Sequence, residues 1–300
     1  MLTDCLNSIL PQIRDANCGD AMAIVENDTE QRARTIIDDF ATRFPAVQIL
    51  YVHEPDLGIP IARNRCIETA RTHGADWMAF IDDDEVAEPG WLEAMRRGAR
   101  ELNADVVTGP VFAPVPPDLP IWMAPPKRKT KPRGQLQTTA GTSNTLLRMS
   151  WFDPPRQDFR FDESLRFTGG SDTDFFYRLT DMGGTIVWVD DAVLSEEITE
   201  ERLSFAWQLK RAHRTAANNY WSQRKRRGVG YALSQTVPKA AGRFAGGVAQ
   251  LVVSVPVLAV ARRHGARLMF KGAKALASAA GSVQGIFGSP PNPYKTTTGG

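Results

Sequence analysis

The stretch Trp77-Met78-Ala79-Phe80-Ile81-Asp82-Asp83-Asp84-Glu85 decides how this chain is read. Five apolar residues run unbroken into three aspartates and a glutamate. An apolar run of this length suits a strand buried on both faces, as in a parallel sheet. Four acids could not stay charged inside a core, so they belong where the strand emerges, at its carboxyl end. Open α/β sheets bind their ligands there. Clustered hard oxygen donors suit Mg2+ or Mn2+ carrying a phosphorylated substrate. The alternative is an acidic turn that only caps the following helix.

Working outward, strand and helix patterns alternate. Leu2, Cys5, Leu6, Ile9 and Leu10 predict a helix within residues 1–20, and residues 21–25 a buried strand ending in Glu26-Asn27-Asp28. Asp28 or Thr29 can cap a helix to Phe44 with Ile36, Ile37 and Phe40 on one face. Residues 47–52 read as a strand ending in His53-Glu54. Pro60 starts a helix that Gly74 stops, and Pro89-Gly90-Trp91 opens another to about Leu102. Residues 105–112 are a further strand. Short links between these elements predict a parallel α/β sheet, and three of its strands end in acids, at Glu26, Glu54 and residues 82–85.

Residues 113–140 break the alternation with seven prolines and the basic run Lys127-Arg128-Lys129-Thr130-Lys131-Pro132-Arg133. Long irregular segments in compact domains are functional or disordered; a flap over a diphosphate and a solvated loop both remain open. Residues 146–149 and 185–189 read as short strands. Between them, Thr168-Gly169-Gly170-Ser171-Asp172-Thr173-Asp174 leads into an amphipathic helix to about Met182. Ser171 with Asp174 fits a Ser-x-x-acid helix start, or Asp172 and Asp174 merely favour the helix dipole.

Three scattered cysteines form neither a disulfide framework nor a metal spacing, which favours a reducing compartment. The formal net charge of +2 hides an asymmetry: residues 202–300 carry 16 Lys and Arg and no acid, and residues 1–201 a net charge of −14. Such a tail seeks an anionic partner. Residues 203–227 predict a basic helix interleaved with Trp207, Tyr220 and Trp221. Residues 244–261 are apolar but short for a span and contain Pro256. With Arg262-Arg263-His264 and a second basic helix beyond, they suit peripheral or re-entrant attachment to an anionic membrane surface. A span and a core helix stay as alternatives. Residues 289–300 read as a disordered tail.

Several motifs in order resemble family 2 glycosyltransferases. Glu54-Pro55-Asp56-Leu57-Gly58-Ile59-Pro60-Ile61-Ala62-Arg63-Asn64, Phe80-Ile81-Asp82-Asp83-Asp84-Glu85 and Trp91-Leu92 resemble the donor half. Phe161-Asp162-Glu163 and residues 169–176 resemble the acceptor half. The resemblance covers roughly residues 1–225 and is nearest to members acting on lipid-linked precursors of bacterial surface polysaccharides. It implies a GT-A fold, a mixed and mainly parallel α/β sheet flanked by helices, with a helical membrane-associating tail appended. It divides the chain into a nucleotide-sugar half (1–112), a loop and catalytic-base half (113–200) and an attachment region (201–288).

The resemblance further implies inverting transfer from a nucleotide sugar, expected to be UDP-linked, to a hydroxyl of a lipid-linked saccharide. Asp172 would be the catalytic base, with Gly169, Gly170 and Ser171 as acceptor loop; Ser171 stands where the family usually has Glu. Asp82 would face the donor ribose, Asp82 and Asp84 the divalent ion (Mn2+ or Mg2+), with Asp83 beside them. One of Glu26, Asn27 and Asp28 would read the uracil ring, and Glu54, Arg63 and Asn64 would line the donor. The expected place is the cytoplasmic face of the inner membrane, and no nucleic acid is expected. Family members usually begin with a strand before the first helix, so a central strand is expected to be missing here. A nucleotidyltransferase would show a Gly-rich phosphate loop after the first strand, and none is present. A non-catalytic sugar-nucleotide-binding or scaffold component is the other reading.

Overall fold

The computed structural model describes residues 1–16, 18–127 and 131–288. In chain order it contains α1 (Leu2–Ala16), β1 (Ala21–Glu26), α2 (Arg34–Arg43), β2 (Gln48–His53), α3 (Ile59–Thr72), β3 (Trp77–Phe80), β4 (Glu85–Ala87) and α4 (Trp91–Leu102). There follow β5 (Val106–Thr108), β6 (Val111–Phe112), β7 (Leu136–Gln137), β8 (Thr145–Arg148), α5 (Ser171–Asp181), β9 (Ile186–Trp188), β10 (Leu194–Glu196), α6 (Phe205–Val260) and α7 (Arg262–Phe287).

The central sheet has the order β3-β8-β5-β9-β7. Its strands are apolar on both sides, and the alternation of side chains divides them between two cores. Met78, Phe80, Val106, Leu147 and Ile186 face one core, with Phe161, Phe175, Phe176 and Leu179. Trp77, Ala79, Val107, Leu146 and Val187 face the other, with Leu6, Leu10 of α1 and Trp91, Met95 of α4. The result is a three-layer α/β domain.

β1 and β2 pair in parallel as a separate sheet, and β4-β10-β6 form a third. Among the described residues neither β1 nor β2 is hydrogen-bonded to the central sheet. Three of the seven strand pairs are parallel, fewer than the sequence pattern suggests. The chain returns after residue 112 without a crossover helix, so β8 enters antiparallel between β3 and β5, and β7 antiparallel beside β9.

Two local expectations change. The strand expected over 105–112 breaks into β5 and β6 at Gly109-Pro110, where proline offers no N–H to a ladder. Neither Asp28 nor Thr29 caps α2. That helix starts after Ala33, whose N–H donates to the Glu26 carboxylate at 2.8 Å, and Ile36 is left exposed beside buried Ile37 and Phe40.

α6 is broken at Gly228, where φ is +82°, a left-handed conformation that glycine alone adopts freely. α7 packs on both limbs: Gly272 lies against Gly247 of the second limb, and Gly281 against His213 of the first. Trp122, from the proline-rich segment, packs on Phe205 and Phe270 with ring centroids 5.2 and 4.5 Å away. That contact ties the segment to the helical tail. Of the basic run, Arg133 pairs with Glu101 at 2.7 Å and Asp191 at 2.9 Å, and Lys131 sits over the Trp188 ring. These residues hold the segment to α4 and the sheet rather than reaching the acidic strand end. Residues 128–130 and the expected disordered tail lie outside the described residues.

Candidate functional site

β3 ends at Phe80, and residues 82–85 fold back in a turn closed by the Glu85 N–H donating to the Asp82 carbonyl at 3.1 Å. In an extended segment Asp82 and Asp84 would point the same way. The turn separates them instead. Asp82 Oδ1 lies 4.0 Å from Arg63 Nη2, and Asp84 Oδ2 lies 3.8 Å from Arg202 Nη2. Asp83 is exposed. Glu85 is buried beneath the turn, accepts the Asp82 N–H at 3.0 Å and is hydrogen-bonded by Ser143.

Burial pushes the Glu85 carboxyl up to about 8, with Asp82 and Asp84 adding repulsion. Asp82, about half exposed, is also pushed up, to about 6, by partial desolvation in the turn and by the carboxylates of Asp172, Asp84 and Asp83, against the opposing pull of Arg63. A carboxyl raised in the folded state keeps its proton after the unfolded chain has lost its own. Stability is therefore fullest below the ordinary value of 4.5 and declines as pH rises to about 8. We expect the melting temperature in EDTA to fall by several degrees across that window, roughly the response of a domain this size to a few kcal/mol. Glu85→Gln keeps the oxygen that accepts the Asp82 N–H and should flatten the decline. An unchanged pH slope in a thermal melt would refute the assignment.

Arg63 connects this turn to the opposite wall. Only 13% of its side chain is exposed. It pairs with Asp172 and reaches Ser171 Oγ at 3.5 Å while facing Asp82. Asp172 sits in the first turn of α5 and accepts from the Thr142 hydroxyl at 3.2 Å and the Ser171 hydroxyl at 3.1 Å. Ser171 is buried and holds the neighbouring carboxylate directly. It is not the helix cap: Gly170 occupies that position, and Asp174 pairs with Arg178.

Glu26, Asn27, Asp28 and Glu54 come together at the ends of the paired strands β1 and β2. Glu26 accepts from the Tyr51 hydroxyl at 2.6 Å and from Ala33 N–H. Asn27 donates to the carbonyls of Glu54 and Asp56 and accepts the Gly58 N–H, fixing the entry to α3. Asp28 accepts the Glu30 N–H and faces Arg32. Glu54 is buried and holds Asp56 N–H and Arg65. Asn64 exchanges two hydrogen bonds with the Phe161 backbone and a third with Glu163, joining α3 to the loop that precedes α5. Gly169 and Gly170 follow Thr168, whose carbonyl accepts from Asn218 of α6 at 2.6 Å. In the basic part of α6, Lys225 pairs with Asp162 and Arg226 with Asp181, so both cations serve this wall.

Sequence patterns gave no sign of Thr142, Ser143, Arg202 or Glu196. None lies in a recognisable spacing, and each reaches the site from a loop or strand end that only the folded topology brings there. The Glu85–Glu196 pairing in the β4–β10 register was the one available signal, and it needed the register first.

Among the described residues no three His, Cys, Asp or Glu side chains are grouped to enclose a metal. The turn still fits a divalent ion held by one or two carboxylates. Its oxygens are hard donors, its negative charge is only partly offset by Arg63 and Arg202, and Asp82 and Asp84 open to solvent. Mg2+-type sites complete their shell with phosphate oxygens and water.

The model of the family described as "Glycosyl transferase family 2" matches residues 1–153. The succinoglycan biosynthesis protein ExoM of Rhizobium meliloti (strain 1021) is 37% identical over 196 residues, which is 64% of this chain and 61% of that protein. The match thus spans less than two thirds of the relative. Among solved structures, the 1–349 portion of TarS from S. aureus in complex with UDP superposes with a TM-score of 0.50 at 15% identity, over 94% of this chain and 87% of that one. GalNAc-T7 with UDP, GalNAc and Mn2+ gives a TM-score of 0.52 at 10% identity, over 74% and 47%. At these identities the likeness is one of fold.

Proposed function

The chain belongs to glycosyl transferase family 2, and from that premise we propose that it is an inverting glycosyltransferase of polysaccharide assembly. It moves a sugar from a UDP-linked donor to a hydroxyl of a lipid-linked saccharide. The observation that carries this reading is the bridge at Arg63, which brings the acidic turn and Asp172 into one cleft. ExoM, named for succinoglycan biosynthesis, supports the polysaccharide class, and the UDP complex of TarS supports the nucleotide.

In this reading Asp172 takes the proton of the acceptor hydroxyl as that oxygen attacks the anomeric carbon from the face opposite the nucleotide. A general base must sit within about 3 Å of that proton, directly or through a water. Thr142 and Ser171 fix the carboxylate, and Arg63 pairs with it and aligns it with the donor side. Asp82 faces the ribose. Asp84 would hold the divalent ion, which when bound offsets charge on the leaving diphosphate as a Lewis acid. The corner made by Glu26, Asn27, Asp28 and Glu54 shapes the base pocket. UDP-sugar with Mn2+ should raise the melting temperature, and EDTA should remove most of that gain. A panel of nucleotide sugars with no metal-dependent protection would count against the donor site.

The tail serves as the membrane attachment on the cytoplasmic face. α6 is long and apolar enough to cross a membrane by length and composition. Its second limb presents Val237, Phe244, Val248, Val252 and Val255, all exposed and spaced to form one stripe, with Gly247 and Ser254 buried at its flank and Val253 and Val260 also exposed. Exposed Lys239, Arg243, Arg262 and Arg263 flank it, and no acid follows Glu201. This pattern suits in-plane binding to anionic lipid. Changing Phe244, Val248 and Val252 together to glutamate should reduce co-flotation with phosphatidylglycerol vesicles about tenfold or more, since each change removes apolar burial and adds repulsion. Equal flotation of the variant would remove the stripe from the account.

A further inference from the structure

The cation beside Asp84 belongs to a segment with no part in the motifs. Arg202 lies in the short 3-10 turn Glu200–Leu203, between β10 and α6. Its Nη1 pairs with Glu196 and its Nη2 stands 3.8 Å from Asp84 Oδ2. Each of the three side chains is about one third exposed, so the pairing lines the open cleft and is not sealed in the core. The adjoining charge is one-sided. Glu196 stands opposite Glu85 in the β4–β10 ladder, which places its carboxylate at the rim of the acidic turn. Arg202 relieves both Glu196 and Asp84, while Arg63 is committed to Asp82 and Asp172.

We propose that Arg202 makes ion binding and diphosphate binding depend on each other, an inference that rests on the donor-site reading above. A divalent ion on Asp84 and a guanidinium within 4 Å of the same carboxylate repel each other. Arg202 must therefore yield Asp84 when the ion arrives. Its second anchor, Glu196, remains, so the guanidinium turns about that carboxylate and stays at the rim of the site. A diphosphate brings more negative charge than one divalent ion offsets, and the displaced guanidinium matches phosphate oxygens in a bidentate fork. The ion alone displaces Arg202 without compensation and binds weakly. The ion with diphosphate gives Arg202 a new partner and binds well. Arg202 is thus a positioning residue for the leaving group, and through its place at the start of α6 it joins the donor site to the tail.

The test is a binding cycle by titration calorimetry with Mn2+ alone, UDP alone and UDP with saturating Mn2+. Arg202→Gln should bind Mn2+ alone about three- to tenfold more tightly than the unaltered protein. It should also lose most of the increase in UDP affinity that Mn2+ confers, about tenfold. Arg202→Lys keeps the charge without the fork and should fall between the two. It also stands in for the glutamine variant should that one fold poorly, which a thermal melt will show. Equal Mn2+ affinity and equal coupling in the unaltered protein and the variants overturns this role of Arg202 and leaves the donor site standing. Absence of any Mn2+–UDP coupling in the unaltered protein overturns the donor-site reading and this inference with it.

Discussion

Asp172→Asn should lower sugar transfer roughly 10²- to 10⁴-fold, the usual worth of a general base, with donor binding unchanged. Asparagine preserves the shape of the site. With its amide oxygen in the place of Oδ1 it can still accept from Arg63 and Ser171, while its NH2 replaces Oδ2 beside Thr142, whose hydroxyl can turn to accept. What it loses is the capacity to take a proton. Asp172→Ala is a poorer test, because it leaves Arg63, largely buried, with Asp82 alone at 4.0 Å. A residual charge short of a partner costs stability whatever the chemistry. Normal turnover in the asparagine variant would remove Asp172 from the base role, and a matching loss of UDP-sugar affinity would make it a donor residue.

Asp84→Ala carries the second large effect. The metal-dependent part of donor binding should vanish, and transfer should drop by about 10²-fold or more, since charge on the leaving diphosphate goes unmatched. Binding measured in EDTA should be the same in both proteins. The variant should also melt no lower, and above pH 6 higher, than the unaltered chain. Asp84 contributes to the repulsion that raises Asp82 and Glu85, so deleting it relieves both. Activity lost with stability retained is the signature of a site residue. A variant that binds donor with its full Mn2+ dependence would place the ion elsewhere.

The sequence was most informative where burial alone dictates structure. The five-residue apolar run before Asp82 suits a strand buried on both faces, and Trp77–Phe80 is such a strand, with side chains in both cores, although it lies at the edge of the central sheet and pairs antiparallel with β8. α3 and α4 begin beside Pro60 and Trp91, where local turn chemistry governs. Orientation beyond the strand end was not legible. An extended backbone over residues 82–85 would put Asp82 and Asp84 on one side, whereas the Glu85-to-Asp82 turn brings each beside a different arginine. That turn is held by Ser143 and by Glu85's own burial, neither of which has a local signature. Asn64 shows the same limit, since no local pattern announces its hydrogen bonds to the Phe161 backbone, 97 residues away in the chain. In the tail, composition separated a basic helix from an apolar one. Only the backbone at Gly228 shows that they are limbs of one broken helix packed on α7.

Free nucleotide should be followed over time from a panel of nucleotide sugars, with Mn2+ and lipid-linked saccharide acceptors, for the unaltered chain, Asp84→Ala and Asp172→Asn. The prediction is release from one donor class by the unaltered chain, stopped by EDTA and lost in both variants, with a product of inverted anomeric configuration. Donor binding with no release from any nucleotide sugar would contradict it and favour a scaffold that holds sugar nucleotides without transferring them.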